Sequence, residues 1–271
     1  MYRSIVAVTA VLTTLSLSSI AGAQGAKPLK KCPIDSVVSG TVCMDTYEAS
    51  VWRVPNATTA NAGLVKKIQK GKATAADLAA GGATQLGIGF TDDYAPCADS
   101  GQNCANDIFA VSLPAVPPSA NITWFQSQAA CKNSRKRLPS NGEWQAAVAG
   151  TPDPGPDNGT TDCNTNSAGA AVNTGSRSSC ASSDGAFDMV GNLYEWVADW
   201  VPKSTTCGTW SAGVSPTGDS QCLAGAATAG EPGALLRGGY FYDGSTAGPL
   251  SVYGSYVPSF SFSIVGFRCA R

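Results

Sequence analysis

The residues of this chain most able to do chemistry are its ten cysteines, because none of its 271 residues is a histidine. Without histidine the chain lacks the commonest general base and the commonest metal-binding side chain. It also lacks every Ser–His or Cys–His nucleophile pair. These absences exclude most hydrolase mechanisms.

The N-terminus predicts export. Arg3 is followed by the apolar run "IVAVTAVLTTLSLSSI", and "AGA" at 21–23 offers a small-residue cleavage site. This is the pattern of a secretory signal peptide, so we expect a signal peptide at 1–23 and one mature domain at 24–271. No later stretch is long and apolar enough to cross a membrane, so we expect no membrane insertion. The protein is predicted to be secreted, periplasmic or at the cell surface.

An even number of cysteines in an exported chain indicates a disulfide framework. Local spacing favours four short loops, which leaves one distant pair, although spacing alone does not determine connectivity. The predicted pairs are Cys32–Cys43, Cys97–Cys104, Cys163–Cys180, Cys207–Cys222 and Cys131–Cys269.

The charge balance argues against nucleic acid as a partner. Lysine and arginine number 18 against 19 aspartates and glutamates, and the one basic cluster is "KNSRKR" at 132–137. Nucleic-acid binding normally requires a basic face. We also expect Arg137 and Arg268 to bind internal carbonyls or carboxylates rather than a ligand.

Two main helices and several short strands are readable. "TWFQSQAACKNSRK" begins at a predicted N-cap, Thr123, and "SNGEWQAAVAG" opens with the capping-box pair Ser140 and Glu143. "TAADLAAGG" at 74–82 is a minor third helix. Predicted strands lie near 41–49, 193–200, 234–241 and 259–270, the last because phenylalanine and serine alternate there.

The C-terminal segment 240–265 has an unusual composition. It contains four Tyr, three Phe and six Ser, and Asp243 is its only charge. Phe260 and Phe262 could share the buried face of a core strand, but the four tyrosines lie in Gly/Ser/Pro-rich sequence that does not favour one. Rigid aromatic rings mixed with serine and glycine are typical of recognition surfaces.

Four sequence blocks resemble the formylglycine-generating-enzyme (sulfatase-modifying factor) domain, which has a variant of the C-type lectin fold. They are "CMDTYEAS" at 43–50, "KRLPSNGEW" at 136–144, "DMVGNLYEWVADW" at 188–200, and "LRGG" at 236–239 with "GFRCAR" at 266–271. The resemblance implies a bacterial, loop-rich α+β domain with two main helices and small, irregular antiparallel sheets. It also supports the Cys131–Cys269 pair.

The resemblance implies that catalysis has been lost. Catalytic members bind Cu(I) through two cysteines after the "GG" and oxidise a substrate cysteine with O2. Asp243 and Gly248 stand at those positions, and neither can supply the thiolate that a soft ion requires. We therefore expect no catalytic residues and no copper. The alternative is a copper-dependent formylglycine-generating oxidase that acts on sulfatase cysteines.

One metal site of the family is matched. In catalytic members a structural Ca²⁺ sits at the turn before the "EW" motif, which corresponds here to Asp188, Gly191, Leu193 and Glu195. These residues offer oxygen ligands, which suit a hard cation. The alternative is that Asp188 caps a turn and Glu195 binds backbone groups.

The C-terminal segment also resembles the variable region of diversity-generating-retroelement proteins, which end in "RGG…GFR". Adenine-templated codons cannot yield Lys, Glu, Gln, Met or Trp, and 240–265 contains none of them. By this resemblance the protein is a non-catalytic binder of a protein or glycan ligand, with a protein favoured. Other readings are an inactive paralogue or a structural envelope component. The predicted contact residues are Tyr240, Tyr242, Asp243, Ser245, Tyr253, Ser255, Tyr256, Phe260 and Phe262.

Overall fold

A computed structural model describes residues 31–271, so the predicted signal peptide at 1–23 lies outside the described residues. In the described part of the chain, no helix is both long and apolar enough to cross a membrane.

Three of the four helices in the described residues begin at residues that the sequence marks as N-caps. Between residues 31 and 271 the four helices are α1 (Ala62–Gln69), α2 (Ala75–Ala80), α3 (Trp124–Asn133) and α4 (Asn141–Ala147). Thr74, Thr123 and Ser140 each form a capping box, in which side chain and backbone N–H groups satisfy one another across the first turn. Helix α1 was not predicted. Its N-cap residue, Asn61, does not cap it through the side chain and instead donates to the carbonyls of Pro55 and Gly81.

Short strands form three sheets. They are β1 (Ser36–Ser39), β2 (Val42–Asp45), β3 (Ala49–Arg53), β4 (Thr84–Leu86), β5 (Ile108–Ser112), β6 (Tyr194–Val201), β7 (Thr206–Thr209), β8 (Ser220–Ala224), β9 (Gly233–Arg237), β10 (Val252–Tyr256) and β11 (Val265–Phe267). The sheets have the orders β1-β2, β4-β3-β5 and β11-β6-β9-β10-β8-β7. The predicted α+β class is confirmed, with the addition that β6–β11 and β8–β10 pair in parallel.

Two expectations about the C-terminal segment are wrong. The predicted strand at 259–270 shrinks to β11, because the segment before it bonds to the loop preceding α3 instead of to a strand. The carbonyls of Pro258 and Phe262 accept hydrogen bonds from the backbone N–H groups of Trp124 and Asn121. Conversely, 252–256 does form a strand, since β8 and β9 supply backbone partners on both sides and outweigh a weak local preference.

The six-stranded sheet separates two hydrophobic cores. Trp196 on β6 and Leu236 on β9 face α3, whereas Val197 and Leu235, one residue along on each strand, pack with α4. Successive side chains of a strand point to opposite faces of the sheet, so one residue of each neighbouring pair packs in one core and the other residue packs in the second core. The helices thus cover opposite faces of one sheet.

All ten cysteines are joined in five disulfides. They connect Cys32 with Cys43, Cys97 with Cys104, Cys131 with Cys269, Cys163 with Cys180 and Cys207 with Cys222, the pairs expected from the sequence. The Cys131–Cys269 bond spans 138 residues and ties α3 to the segment after β11.

A buried ion pair joins the C-terminus to the rest of the domain. The Arg268 guanidinium donates to both carboxylate oxygens of Glu195, at 2.5–2.9 Å, and both side chains are within 1% of full burial. It also donates to the carbonyls of Asp45 and Phe187. Trp144 completes the Glu195 shell from α4, with its indole N–H 2.6 Å from the carboxylate. Arg268 therefore has the internal role expected for it.

The basic run at 132–137 is also used internally. The Lys136 ammonium is buried and bridges Asp35 and Asp45 at 2.7 and 2.6 Å. Arg137, as expected, pairs with a carboxylate, that of Glu143. Lys136 and Arg137 are therefore not part of a free basic patch.

We expect Arg268→Met to lower the free energy of unfolding by about 3–5 kcal/mol, because it leaves the Glu195 carboxylate buried without its partner. Arg137→Met is the matched control, since its ion pair with Glu143 has a 45% exposed arginine side chain. Exposed pairs contribute less than about 1 kcal/mol. Urea denaturation of both variants measures the difference, and equal losses would show that Arg268 does not hold the fold.

Candidate functional site

A double-glycine turn carries the chain out of the sheet towards the predicted contact residues. After β9 ends at Arg237, Gly238 and Gly239 adopt φ values of +87° and +83°, a region that other residues rarely enter. A Cβ on Gly239 would also lie 2.5 Å from the Cβ of Ala247. The turn therefore requires glycine and delivers Tyr240 beside the end of β10.

Six rings, here called the aromatic surface, follow this turn in a chain of contacts. They are Tyr240, Tyr242, Tyr253, Tyr256, Phe260 and Phe262. Tyr256 and Phe260 stack with centroids 4.5 Å apart, and Phe262 lies 6.3 Å beyond Phe260. The buried Tyr194 on β6 contacts both Tyr240 and Tyr253 at 5.0 Å. Residues distant in sequence thus form one continuous array.

None of the nine predicted contact residues is buried. Tyr242 and Phe262 are 62% and 55% exposed, and Ser245 is exposed as well. The other six residues, Tyr240, Asp243, Tyr253, Ser255, Tyr256 and Phe260, are half-buried. The four aromatic residues among these six pack against the hydrophobic core that faces α3. The aromatic surface is therefore partly core and partly accessible, and ligand binding by these residues stays a prediction.

Asp243 is the one charge within this array. Its carboxylate accepts a hydrogen bond from the Tyr240 backbone N–H at 3.3 Å and one from the Tyr194 hydroxyl. Burial raises the pKa of Asp243 to about 6, and these two hydrogen bonds lower it only in part. Within residues 31–271 no lysine or arginine forms an ion pair with it.

Two apolar residues beside the aromatic surface were not expected from the sequence. Phe90 is 82% exposed and Ile88 is 44% exposed, both in the loop after β4. Phe90 lines a cleft of about 510 Å³ together with Tyr240, Tyr242 and Phe262. An aromatic side chain in the Gly-rich stretch "GIGFTDD" at 87–93 was the signal that could have identified it.

The family model for the sulfatase-modifying factor enzyme 1-like domain matches residues 68–271, about three quarters of the chain. The chain belongs to this family. The C-type lectin-like fold predicted from the sequence blocks is confirmed. No curated protein matches the chain in sequence.

Solved structures that resemble the chain do so distantly. The Major Tropism Determinant M1 variant has a TM-score of 0.47 and 18% identity over 91% of this chain and 54% of its own. Treponema denticola variable protein 1 has a TM-score of 0.39 and 16% identity over 57% and 70%. PvdO from Pseudomonas aeruginosa has a TM-score of 0.40 and 19% identity over 87% and 82%. The chain spans about half the length of the Major Tropism Determinant structures.

Of the two positions expected to match the copper-binding thiols of catalytic family members, Gly248 has no room for a side chain. A Cβ at Gly248 would collide with the Asp219 carboxylate, so a cysteine there would require the surrounding loop to move. The other position is Asp243, at the base of the aromatic surface. Because every cysteine of the chain is in a disulfide, no thiol elsewhere can substitute.

The predicted calcium residues lie beside an excess of buried negative charge. Glu48, Asp188 and Glu195 are all buried, and Arg268 is the guanidinium that they share. Burial raises the pKa of Glu48 well above its usual range, and the charges of Asp188 and Glu195 raise it further. Burial likewise raises the pKa of Asp188 to about 7. This excess of carboxylates suits an additional cation.

Other contacts at these residues compete with a cation. Both Glu195 oxygens already accept hydrogen bonds from Arg268, and one Asp188 oxygen accepts the Gly175 backbone N–H at 2.7 Å. In residues 31–271 no three His, Cys, Asp or Glu side chains converge as a metal site, so two of the four ligands would be the carbonyls of Gly191 and Leu193. We keep Ca²⁺ at Asp188, Gly191, Leu193 and Glu195 as a proposal, with a structural role.

If Ca²⁺ binds, millimolar CaCl2 should raise the melting temperature by at least about 5 °C over EDTA, as expected for a ligand well above its Kd. Asp188→Asn should shrink this increment, because it removes a ligand charge, whereas Asp184→Asn, at an exposed carboxylate nearby, should preserve it. Superimposable melting curves in CaCl2 and EDTA would contradict the proposal.

Proposed function

We propose that this protein is an exported, non-catalytic binding protein that recognises a protein partner through the aromatic surface. The observation that carries the proposal is the exposure of the rings, above all Tyr242 and Phe262, in the segment where catalytic members of the family carry their thiols. Five disulfides are in keeping with an oxidising compartment outside the cytoplasm.

The physical chemistry of the rings favours a protein ligand. Tyrosine and phenylalanine present a large rigid area with few rotatable bonds, so little conformational entropy is lost on binding. Interface centres are enriched in aromatic residues and depleted of charge, and this surface has six rings and one carboxylate. The half-buried rings are already held by the core, which lowers the cost of ordering them further.

The absence of reactive groups supports a binding role over an oxidase role. Catalytic members of the family require a pair of thiolates, whereas this chain has Asp243 and Gly248 at those positions and no free thiol. The carboxylate and the glycine offer no soft ligand for Cu(I).

We further propose that the surface is diversified. Segment 240–265 is held at one end by the double-glycine turn and at the other by β11 and the Cys131–Cys269 bond. Its exposed contact residues, Tyr242, Ser245 and Phe262, can be substituted at little cost to the core. Its lack of Lys, Glu, Gln, Met and Trp is the composition that adenine-templated codons produce.

The binding role predicts that partner capture depends on the exposed rings. Tyr242→Ser with Phe262→Ser should reduce capture of specific proteins from surface extracts of neighbouring cells by at least about 10-fold, the effect of losing roughly 1.4 kcal/mol of contact energy. Quantitative mass spectrometry of cross-linked complexes measures it. The matched control is Val214→Ser with Leu223→Ser, which removes exposed apolar side chains outside the aromatic surface.

Two outcomes would contradict the binding role. Equal capture by the wild type and both double variants would place recognition elsewhere, and capture of only further copies of this chain would indicate a structural envelope component. Formation of an aldehyde on a cysteine-containing sulfatase peptide, in the presence of Cu(I) and O2, would instead support the oxidase alternative.

Diversification predicts a pattern in DNA. Copies of the gene from sister isolates should differ mainly at the nine predicted contact residues, and a near-copy of the last hundred or so bases, differing at adenines, should lie near a reverse-transcriptase gene. Differences scattered evenly over the domain would contradict this proposal and leave the binding role untouched.

A further inference from the structure

Asp243 is a half-buried carboxylate without a cationic partner. The groups that face it are phenols: Tyr194 from β6, Tyr240 from the segment after the double-glycine turn, and Tyr256 from β10. Burial raises the pKa of all three phenols, and the charge of Asp243 raises it further. A carboxylate held among neutral rings is poorly solvated, and in the free protein hydrogen bonds from Tyr194 and Tyr240 are its only identified compensation.

The surroundings contain no other charge that could fill this role. The residues lining the adjoining cleft, Phe90, Asn121, Gly169, Tyr240, Phe241, Tyr242, Phe262, Ser263 and Ile264, include no acid or base. The whole segment 240–265 contains no lysine or arginine. Compensation for the Asp243 charge must therefore come from outside the segment.

The same rings are suited to hold a cation. The face of an aromatic ring attracts an ammonium or guanidinium group within about 6 Å, and the attraction grows when water is excluded. The ring centroids of Tyr240 and Tyr253 each lie 5.0 Å from that of Tyr194, and the Tyr256 centroid lies 6.3 Å from that of Tyr253. A cation above this array would meet several rings and approach the carboxylate at the same time.

We propose that the aromatic surface receives a cationic side chain of the protein partner, with Asp243 as the counter-charge and the rings of Tyr240, Tyr253 and Tyr256 as its walls. This inference rests on the proposed binding role and specifies its chemistry. An anionic group would be repelled by Asp243, and a neutral apolar group would leave the carboxylate uncompensated. The partner segment therefore bears a lysine ammonium or an arginine guanidinium.

Small probes test the chemistry directly. Butylammonium and butylguanidinium represent the two side chains, and choline is compared with its uncharged analogue in which carbon replaces the quaternary nitrogen. We expect each cation to shift the tyrosine ring resonances in NMR titrations and to bind at least about 10-fold more tightly than the uncharged analogue. The tighter of butylammonium and butylguanidinium identifies the preferred group.

Variants separate the carboxylate from the rings. Asp243→Asn keeps an acceptor for the Tyr240 N–H and should reduce cation binding at least about 10-fold, whereas Asp92→Asn, at a carboxylate in the loop that bears Phe90, should leave it unchanged. Tyr256→Phe should retain cation binding and Tyr256→Leu should lose most of it. Thermal melts of all variants confirm that they are folded.

The pH dependence of cation affinity distinguishes a binding role of Asp243 from a purely structural one, because only a binding role makes the affinity follow the ionisation of Asp243. The groups around Asp243 are the phenols of Tyr194, Tyr240 and Tyr256, whose pKa values are raised by burial, so all three are uncharged between pH 5 and 8. Asp243, with a pKa of about 6, gains its charge across this range. Cation affinity should therefore rise about 10-fold from pH 5 to pH 7.5 in the wild type and stay constant in Asp243→Asn.

Equal binding of choline and its uncharged analogue, or unaltered cation binding by folded Asp243→Asn, would overturn the inference. The proposed binding role is tested separately. If capture of partners still depends on Tyr242 and Phe262 while cations show no preference, the surface binds an apolar segment and only the cationic assignment fails.

Discussion

The domain depends on one buried ion pair, Arg268 with Glu195. The guanidinium of Arg268, the residue directly after β11, donates to Glu195 on β6 and to the carbonyls of Asp45 on β2 and Phe187 ahead of β6. Trp144 donates to the same carboxylate from α4. Each of these elements supplies an acceptor or a donor that would be costly to bury alone. These contacts fix the segment after β11, the edge strand of the six-stranded sheet, inside the domain.

Because Arg268 anchors the chain after β11, the segment before it, residues 240–265, is held at a fixed end point. Residues 240–265 run between the double-glycine turn and β11, and the Cys131–Cys269 bond secures the far end to α3. The chain between these points can vary at its exposed positions while β10, paired on both sides, keeps the segment in register. Recognition by loops on a rigid frame is a general solution, because side chains that need not pack are free to contact a ligand.

The same segment carries the change that, in our proposal, replaces oxidation with binding. A copper site requires thiolates, but Gly248 is closed in by Asp219 and position 243 is a carboxylate. Burial raises the pKa of Asp243 to about 6, and within residues 31–271 no lysine or arginine forms an ion pair with it. We propose that this position, which the family resemblance matches to a metal-binding thiol, instead receives an organic cation supplied by the partner.

The sequence alone was sufficient for features with local physical causes. Capping residues located α2, α3 and α4, cysteine spacing matched the five disulfides, and the sequence blocks identified the family. Tertiary structure decided what depends on distant neighbours. Residues 252–256 form a strand because they pair with a strand on each side. Phe260 and Phe262 lie outside any strand because their segment bonds beside α3. The fold also brings Phe90 to the aromatic surface. Periodicity records which residues are apolar, but exposure and pairing arise only when separate parts of the chain meet.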